Sequence, residues 1–323
     1  MRSIRIISPS GVIDPAYIDG AALRLRAWGF EVSEGVHARD VWGRFAGTDE
    51  ARLADITDAL ADPAVDVILC SRGGYGLQRI IDRIPPITKP IIGFSDITAL
   101  HQTAAMHGRS TLHGLMCKHI ATLPEESEPI VALRKMLAGE AMEYTWDAHP
   151  LNRTGEAEGV IIGGNLSVLY GLQGTPYGLT SVIQNLKFKI QKFEDYSLQK
   201  SINQSSNHQI FKSSNLQKPL LLIEDICERH YHIDRMMHNL RMSGVLAGIG
   251  GLIVGQFSDC EDDPSMNCTV YETIKEAVAG YDYPVLFNAP IGHVEHNLPL
   301  WFHVHTTIHC GMNSTLRTDG VLV

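Results

Sequence analysis

Lys89-Pro90-Ile91-Ile92-Gly93-Phe94-Ser95-Asp96-Ile97-Thr98-Ala99-Leu100-His101 runs from an apolar stretch into a serine, and out of it into a helix-forming stretch. That is the layout of a strand, a sharp turn and a helix, with Ser95 at the corner. A hydroxyl placed there projects from the end of the strand, and the backbone N–H groups after it lie at a helix N-terminus. Such groups can stabilise the negative charge that develops on an attacked carbonyl. Gly93 and Ser95 fit the G-x-S-x-G elbow, while Ile97 stands where its last glycine would be. On this stretch alone Ser95 has two readings, a nucleophile or a cap for the helix that follows.

The chain before Ser95 repeats the same alternation. Ile4 to Ile7 reads as a strand, Asp14 to Trp28 as a helix opened by Asp14-Pro15 and ended by Gly29, and Phe30-Glu31-Val32 as a strand. Asp49 to Leu60 has helical spacing, and Val65 to Cys70 is a buried strand that leads into Ser71-Arg72-Gly73-Gly74-Tyr75-Gly76 and a helix around Leu77 to Ile81. Ser110-Thr111-Leu112-His113-Gly114 follows the Ser95 unit. Strands alternating with helices predict an α/β fold with a mostly parallel sheet, whose working crevice lies at the carboxyl ends of the strands. The glycine loop and Ser95 both leave strands at that edge, so they should be neighbours.

Residues from about Pro124 to Gly155 are polar, charged and partly helical, and read as a crossing between domains 1–150 and 151–323. Beyond it, Gly159 to Ser167 is a strand ending in a Gly-Gly-Asn turn. Leu220 to Ile223, Gly250 to Phe257 and Val285 to Phe287 are strands, with helices at Ile233 to Met242 and Thr269 to Ala279. Late strands around Trp301 to His309 and Ser314 to Val323 complete a second, strand-rich α+β half. Ser181 to Lys218, rich in Asn, Gln, Ser and Lys, is an atypical polar insertion; so long a loop is usually functional or disordered.

The composition excludes several classes. The 323 residues are 44% hydrophobic and 20% charged, ordinary for a globular protein with a sizeable core. A net charge of -9 and the absence of a basic stripe argue against a nucleic-acid partner. No apolar stretch approaches a membrane span, and Met1 to Ser8 runs into a strand with no leader pattern, so a cytoplasmic protein is expected. Six scattered cysteines without a C-x-x-C pair read as reduced thiols, mostly in strands and cores. The pairs His230/His232 and His303/His305 raise zinc as an alternative, but there is no H-E-x-x-H and no evident third ligand, so no metal is expected. Gly73-Gly74-Tyr75-Gly76 matches neither nucleotide-binding glycine pattern.

A serine nucleophile needs a base and an orienting acid. Glu224 and Asp225 end a buried-looking strand, and His293 lies in the turn Pro290-Ile291-Gly292-His293 after another. Taken singly, the carboxylates could be salt-bridge partners or caps and the histidine a solvated turn residue. With Ser95 they give the order Ser, Glu, His, each at a strand end.

With these segments in view the chain resembles the LD-carboxypeptidase family of serine peptidases, which includes muramoyltetrapeptide carboxypeptidases and microcin-immunity peptidases. The matching motifs are Ser71 to Gly76, Gly93 to Thr98, His113-Gly114, Gly163-Gly164-Asn165-Leu166, Ile223-Glu224-Asp225 with Glu228, Tyr231 and Ile233-Asp234-Arg235, Gly251 to Cys260, and Pro290 to His293 with Asn297. They occur in the family's order over nearly the whole chain. The resemblance implies a Rossmann-like N-terminal domain with a parallel sheet and a smaller β-rich α+β C-terminal domain. It implies a cofactor-free, cytoplasmic homodimer that acts on peptidoglycan-derived peptides, with Ser95 as nucleophile, His293 as base and Glu224 as orienting acid between the domains. It also implies an oxyanion site at the Asp96 N–H and one from Gly73 or Gly74. Arg72 becomes a candidate for the substrate's terminal carboxylate, with a buried structural arginine as the other reading. The implied reaction is release of D-alanine from a tetrapeptide in murein recycling. Alternatives are cleavage of a peptide–nucleotide antibiotic and a catalytically silent muropeptide-binding protein. The chain departs from the family at Leu115, where proline is typical, in the tail after Pro299, and in the length of Ser181 to Lys218, which could cover the cleft or loop out.

Overall fold

The computed structural model describes residues 2–186 and 218–321. Most of the polar insertion, residues 187–217, therefore lies outside the described residues, and with it both readings of this segment, that it covers the cleft or that it loops out. Thirteen strands among the described residues form two sheets. In the first, β1 (Ser3–Ile7), β2 (Glu31–Glu34), β3 (Val67–Cys70), β4 (Ile91–Gly93) and β5 (Thr111–His113) are parallel, in the order β5-β4-β3-β1-β2. The helices α1 (Pro15–Ala27), α2 (Asp49–Ala61) and α3 (Thr98–His107) connect them, as the alternation predicts. Local chemistry fixes where they start. Asp14 accepts from the Ala16 N–H at 2.9 Å with Pro15 behind it, and Thr48 accepts from Ala51 N–H at 3.2 Å.

The second sheet is half parallel and half antiparallel. Its parallel part is β7 (Gly155–Asn165), β8 (Leu220–Ile226), β9 (Gly251–Ser258) and β10 (Val285–Leu286). Its antiparallel part adds β12 (His305–Cys310), β13 (Asn313–Thr318) and β6 (Met142–Asp147) to the other edge of β7. The helices α6 (Leu166–Leu172), α7 (His230–Met242) and α8 (Val270–Ala277) cover one face. Shorter helices α4 (Cys117–Thr122) and α5 (Glu128–Leu137) lie between the two parts of the chain.

Three elements differ from the sequence reading, one of them the late strand expected over Trp301 to His309, which is two strands, Leu300–Phe302 and His305–Cys310, in different sheets. The polar crossing contains β6, an edge strand whose buried Tyr144 is its anchor: the ring is in the core, and its hydroxyl donates to the Pro299 carbonyl at 2.8 Å. The expected helix after the glycine loop is two 3-10 turns, Leu77–Arg79 and Ile81–Arg83. Its first N–H is taken by the Asp96 carboxylate rather than by a helix carbonyl.

The strand β11 (Leu300–Phe302) leaves the second half of the chain to pair antiparallel with β5 of the first sheet, Leu300 opposite His113. The segment from Leu286 to Leu300 thus spans from one sheet to the other. Trp301, Leu300 and Phe302 are fully buried. Burial of side chains of this size is worth about 1.5–3 kcal/mol each, so the connection is held firmly. Among the described residues no helix is long and apolar enough to cross a membrane. Of the cysteines, Cys70, Cys117 and Cys310 are buried, Cys227 is exposed and Cys260 and Cys268 are half-buried, all of them free thiols.

Candidate active site

Ser95 follows β4 directly and opens a 3-10 turn, Ser95–Ile97, that runs into α3. Its φ of +66° is a left-handed conformation that a non-glycine residue rarely adopts and that costs about 1–3 kcal/mol. Four hydrogen bonds hold it there. The Asp96 carboxylate accepts from Leu77 N–H at 3.0 Å, and the Ile97 N–H donates to Phe94 O at 3.3 Å. The buried His101 contacts Gly93 O through Nε2 at 2.9 Å and Thr111 Oγ1 through Nδ1 at 2.8 Å. A carbonyl only accepts, so Nε2 carries the proton and Nδ1 accepts from the hydroxyl. Burial pulls the His101 imidazole down to about 3, so it braces the elbow as a neutral ring. Neither the turn nor α3 has a side-chain cap, so the hydroxyl of Ser95 is not spent on capping.

The glycine loop comes close against this corner, as expected from the common sheet edge. A Cβ on Gly73 would lie 2.7 Å from Ser95 Cβ and 3.0 Å from Ser95 Oγ, so only glycine lets the loop approach this far. The Asp96 N–H sits in the first turn of a helix, where N–H groups have no carbonyl partner within the helix. Burial pushes the Asp96 carboxyl up against the pull of the Leu77 N–H. Arg72 is exposed, which removes the reading of a buried structural arginine; one guanidinium nitrogen donates to the Val12 carbonyl at 2.6 Å.

Glu224 and His293 are brought together from the second half. Glu224 is fully buried at the end of β8, where the ladder to β9 is irregular, and its Oε2 is 2.7 Å from His293 Nδ1. Its other oxygen faces Nε2 of the buried His113 at 4.0 Å, beyond hydrogen-bond range. Burial by itself would raise the Glu224 carboxyl, but the two imidazoles outweigh it and hold the group well below the usual carboxylate range. Burial would likewise lower His293, but the Glu224 carboxylate reverses this and raises it. Only 15% of the His293 side chain is exposed, so it is not a solvated turn histidine. Its loop is tied down by Gly292 N–H to Asn297 Oδ1 at 2.9 Å and Gln256 N–H to Ile291 O at 2.9 Å. Among the described residues no hydrogen bond joins Ser95 to His293. The link is Phe94, the residue before Ser95, whose ring stands edge-on to the imidazole at 4.9 Å.

A second polar cluster seats the elbow helix on the second sheet. Thr98 Oγ1 accepts from the Asn165 N–H at 2.9 Å, and Gln102 Nε2 donates to the Gly163 carbonyl at 3.0 Å. A Cβ on Gly164 would lie 2.5 Å from Thr98 Oγ1 and one on Gly163 would run into the Leu222 carbonyl oxygen, which explains the paired glycines of that motif. Asn165 Nδ2 and the Ser167 N–H both donate to Asp225, at 2.9 and 2.8 Å. Burial and the neighbouring Glu224 charge still push the Asp225 carboxyl up to about 7. Sequence reasoning gave Thr98, His101 and Gln102 no role of their own beyond the helix-forming stretch after Ser95, although Thr98 lies in the motif Gly93 to Thr98. The one available signal was three polar residues on a stretch otherwise suited to full burial. Of the histidines raised for zinc, His230 bonds Thr273 Oγ1 at 2.7 Å, His232 bonds Glu228 at 3.0 Å and His305 lies 3.4 Å from the Asp319 carboxylate.

Comparison with known proteins agrees with this architecture. Residues 4–114 match the LD-carboxypeptidase N-terminal domain, and residues 158–308 match the LD-carboxypeptidase C-terminal domain. A probable murein peptide carboxypeptidase of Bacillus subtilis is 30% identical over 90% of this chain and 83% of its own. The muramoyltetrapeptide carboxypeptidase of Oxalobacter formigenes has a similar fold, with a TM-score of 0.78, 23% identity and 98% of both chains covered. The microcin C7 self-immunity protein superposes with a TM-score of 0.75 at 18% identity, over 100% of this chain and 97% of its own. On the match of both halves and the identity to the Bacillus protein, the chain belongs to the LD-carboxypeptidase family of serine-type carboxypeptidases.

Proposed function

We propose that this protein hydrolyses the L,D-peptide bond that releases the terminal D-alanine from peptidoglycan-derived tetrapeptides, as a step of murein recycling in the cytoplasm. The observation that carries this reading is the buried Glu224–His293 pair at 2.7 Å, one residue removed through Phe94 from a serine on a strained elbow. With Nδ1 engaged by Glu224, Nε2 is the nitrogen of His293 left to take the Ser95 proton. Ser95 Oγ then bonds to the carbonyl carbon of the L-configured diamino acid. The oxyanion is held by the Asp96 N–H and by Gly73 or Gly74. The imidazolium, stabilised by Glu224, gives its proton to the amine of D-alanine as the C–N bond breaks. Water, deprotonated by His293, attacks the ester and returns Ser95 and a carboxylate product.

The test is to incubate the protein with a muramoyl tetrapeptide, and separately with a peptide–nucleotide conjugate of the microcin type. Free D-alanine from the tetrapeptide supports the proposal. Cleavage of the conjugate alone would replace the murein peptide by that substrate. Binding of the tetrapeptide with cleavage of neither would make this a muropeptide-binding protein.

A further inference from the structure

We propose that Arg44 joins Arg72 in a carboxylate-binding subsite at the rim of the glycine loop, and that this subsite confines the enzyme to the carboxyl-terminal residue of its substrate. The inference rests on the carboxypeptidase reading above and adds a residue to it. A tight turn places Arg44. Trp42 and Phe45 exchange backbone hydrogen bonds at 2.9 and 3.1 Å across Gly43-Arg44, which puts the arginine at the tip. The turn is fixed to the segment Gly11-Val12, because Val12 N–H donates to Arg44 O at 3.1 Å and Gly11 bridges Phe45. Arg72 leans on the same segment from the other side, through its bond to Val12 O. That segment is in turn bound to the glycine loop, with Gly11 N–H on Gly73 O at 3.0 Å. Both arginines therefore hang on one short piece of chain whose next neighbour is the glycine pressed against Ser95.

Their charges are not neutralised by the protein. Arg52 and Arg79 lie over the same aromatic cluster, within 5.2 and 5.4 Å of the Phe45 ring, and both are ion-paired with Asp49. Among the described residues neither Arg44 nor Arg72 has a carboxylate partner. The guanidinium of Arg44 instead lies 5.8 Å from the ring of Tyr75, whose side chain is 42% exposed. A cation–π contact orients the planar fork without using its N–H donors. In a chain of net charge -9, two arginines attached to the same short segment, with open donors, fit an incoming carboxylate, which the fork binds in two parallel hydrogen bonds. A carboxypeptidase must recognise such a group on the residue it releases.

The test uses Ser95→Ala protein, so that binding is read without turnover, and two tetrapeptides that differ only in a terminal carboxylate or a terminal amide. Dissociation constants for both are measured with Arg44 in place, with Arg44→Gln and with Arg44→Lys. The account expects tighter binding of the acid, an advantage reduced roughly tenfold to a hundredfold by Arg44→Gln and partly kept by Arg44→Lys. A merely structural arginine would weaken both peptides alike. An acid-over-amide advantage that Arg44→Gln leaves intact would overturn the subsite while the hydrolytic reading stands. Binding of neither peptide before any change at Arg44 would overturn the murein reading itself, and the subsite with it.

Discussion

Replacing Gly73 by alanine would set a methyl group 2.7 Å from Ser95 Cβ, 2.9 Å from Phe94 O and 3.0 Å from Ser95 Oγ. Ordinary contacts begin near 3.4 Å, so the first is about 0.7 Å too short. Gly73 is not among the glycines with positive φ, so its backbone accepts an L side chain and the whole penalty is one of space. Neither neighbour yields easily. Ser95 is already left-handed, and Phe94 is buried between the rings of His113, His119 and His293. Relief therefore comes as a separation of the glycine loop and Ser95 by about half an ångström. Overpacking on this scale costs about 1–3 kcal/mol of stability. A shift approaching 1 Å at a reacting group costs on the order of 100-fold in rate. We expect Gly73→Ala to lower kcat/KM for D-alanine release by about 30- to 100-fold in a protein that still unfolds cooperatively. Gly280→Ala is the control, since nothing lies within 4 Å of its added Cβ, and it should leave the rate alone. A Gly73→Ala enzyme with the parent kcat/KM would refute the close approach of the loop to Ser95.

Glu224→Gln should lower kcat/KM by about 1000- to 10,000-fold, because the imidazolium loses its counter-charge and its fixed tautomer. The carboxylate is what raises His293, so in the parent the acid limb of the pH–rate profile should lie above the ordinary 6.5 of histidine, and in any residual Glu224→Gln activity it should move down. A limb that does not move would contradict the pairing. The same carboxyl titrates lower folded than unfolded, so it adds stability above about pH 4.5 that is lost as acid reaches its folded value; urea midpoints between pH 3 and 7 should follow that direction. Thr98→Val leaves the Asn165 N–H without its acceptor and should cost about 1–3 kcal/mol in urea unfolding. Thr269→Ala breaks a capping box with Glu272 and should cost about 1 kcal/mol, with D-alanine release unchanged.

The parts of the fold that could be read from the chain are those with local causes. The Asp14-Pro15 start, the Val67–Cys70 run of four buried apolar residues and the apolar-to-serine turn at Ser95 each carry their reason within a few residues. Pairing over long distances has no such signal. Leu300–Phe302 is three residues long, and nothing near it tells that its partner is β5 rather than the sheet of its neighbours. Met142–Asp147 exposes most of one face as an edge strand, so it read as a polar crossing. The same contrast holds at the site. Glu224 and His293 stood out because acidic and imidazole groups at strand ends are chemically conspicuous. His101 and Thr98 did not, since their role is to fix the Gly93 carbonyl and the Asn165 N–H, groups that every residue has.

The central claim is that Ser95 carries out the reaction, and D-alanine release from a muramoyl tetrapeptide by the parent protein and by Ser95→Ala tests it most directly. The account predicts release by the parent alone. Equal release by both would contradict it and remove Ser95 from the chemistry.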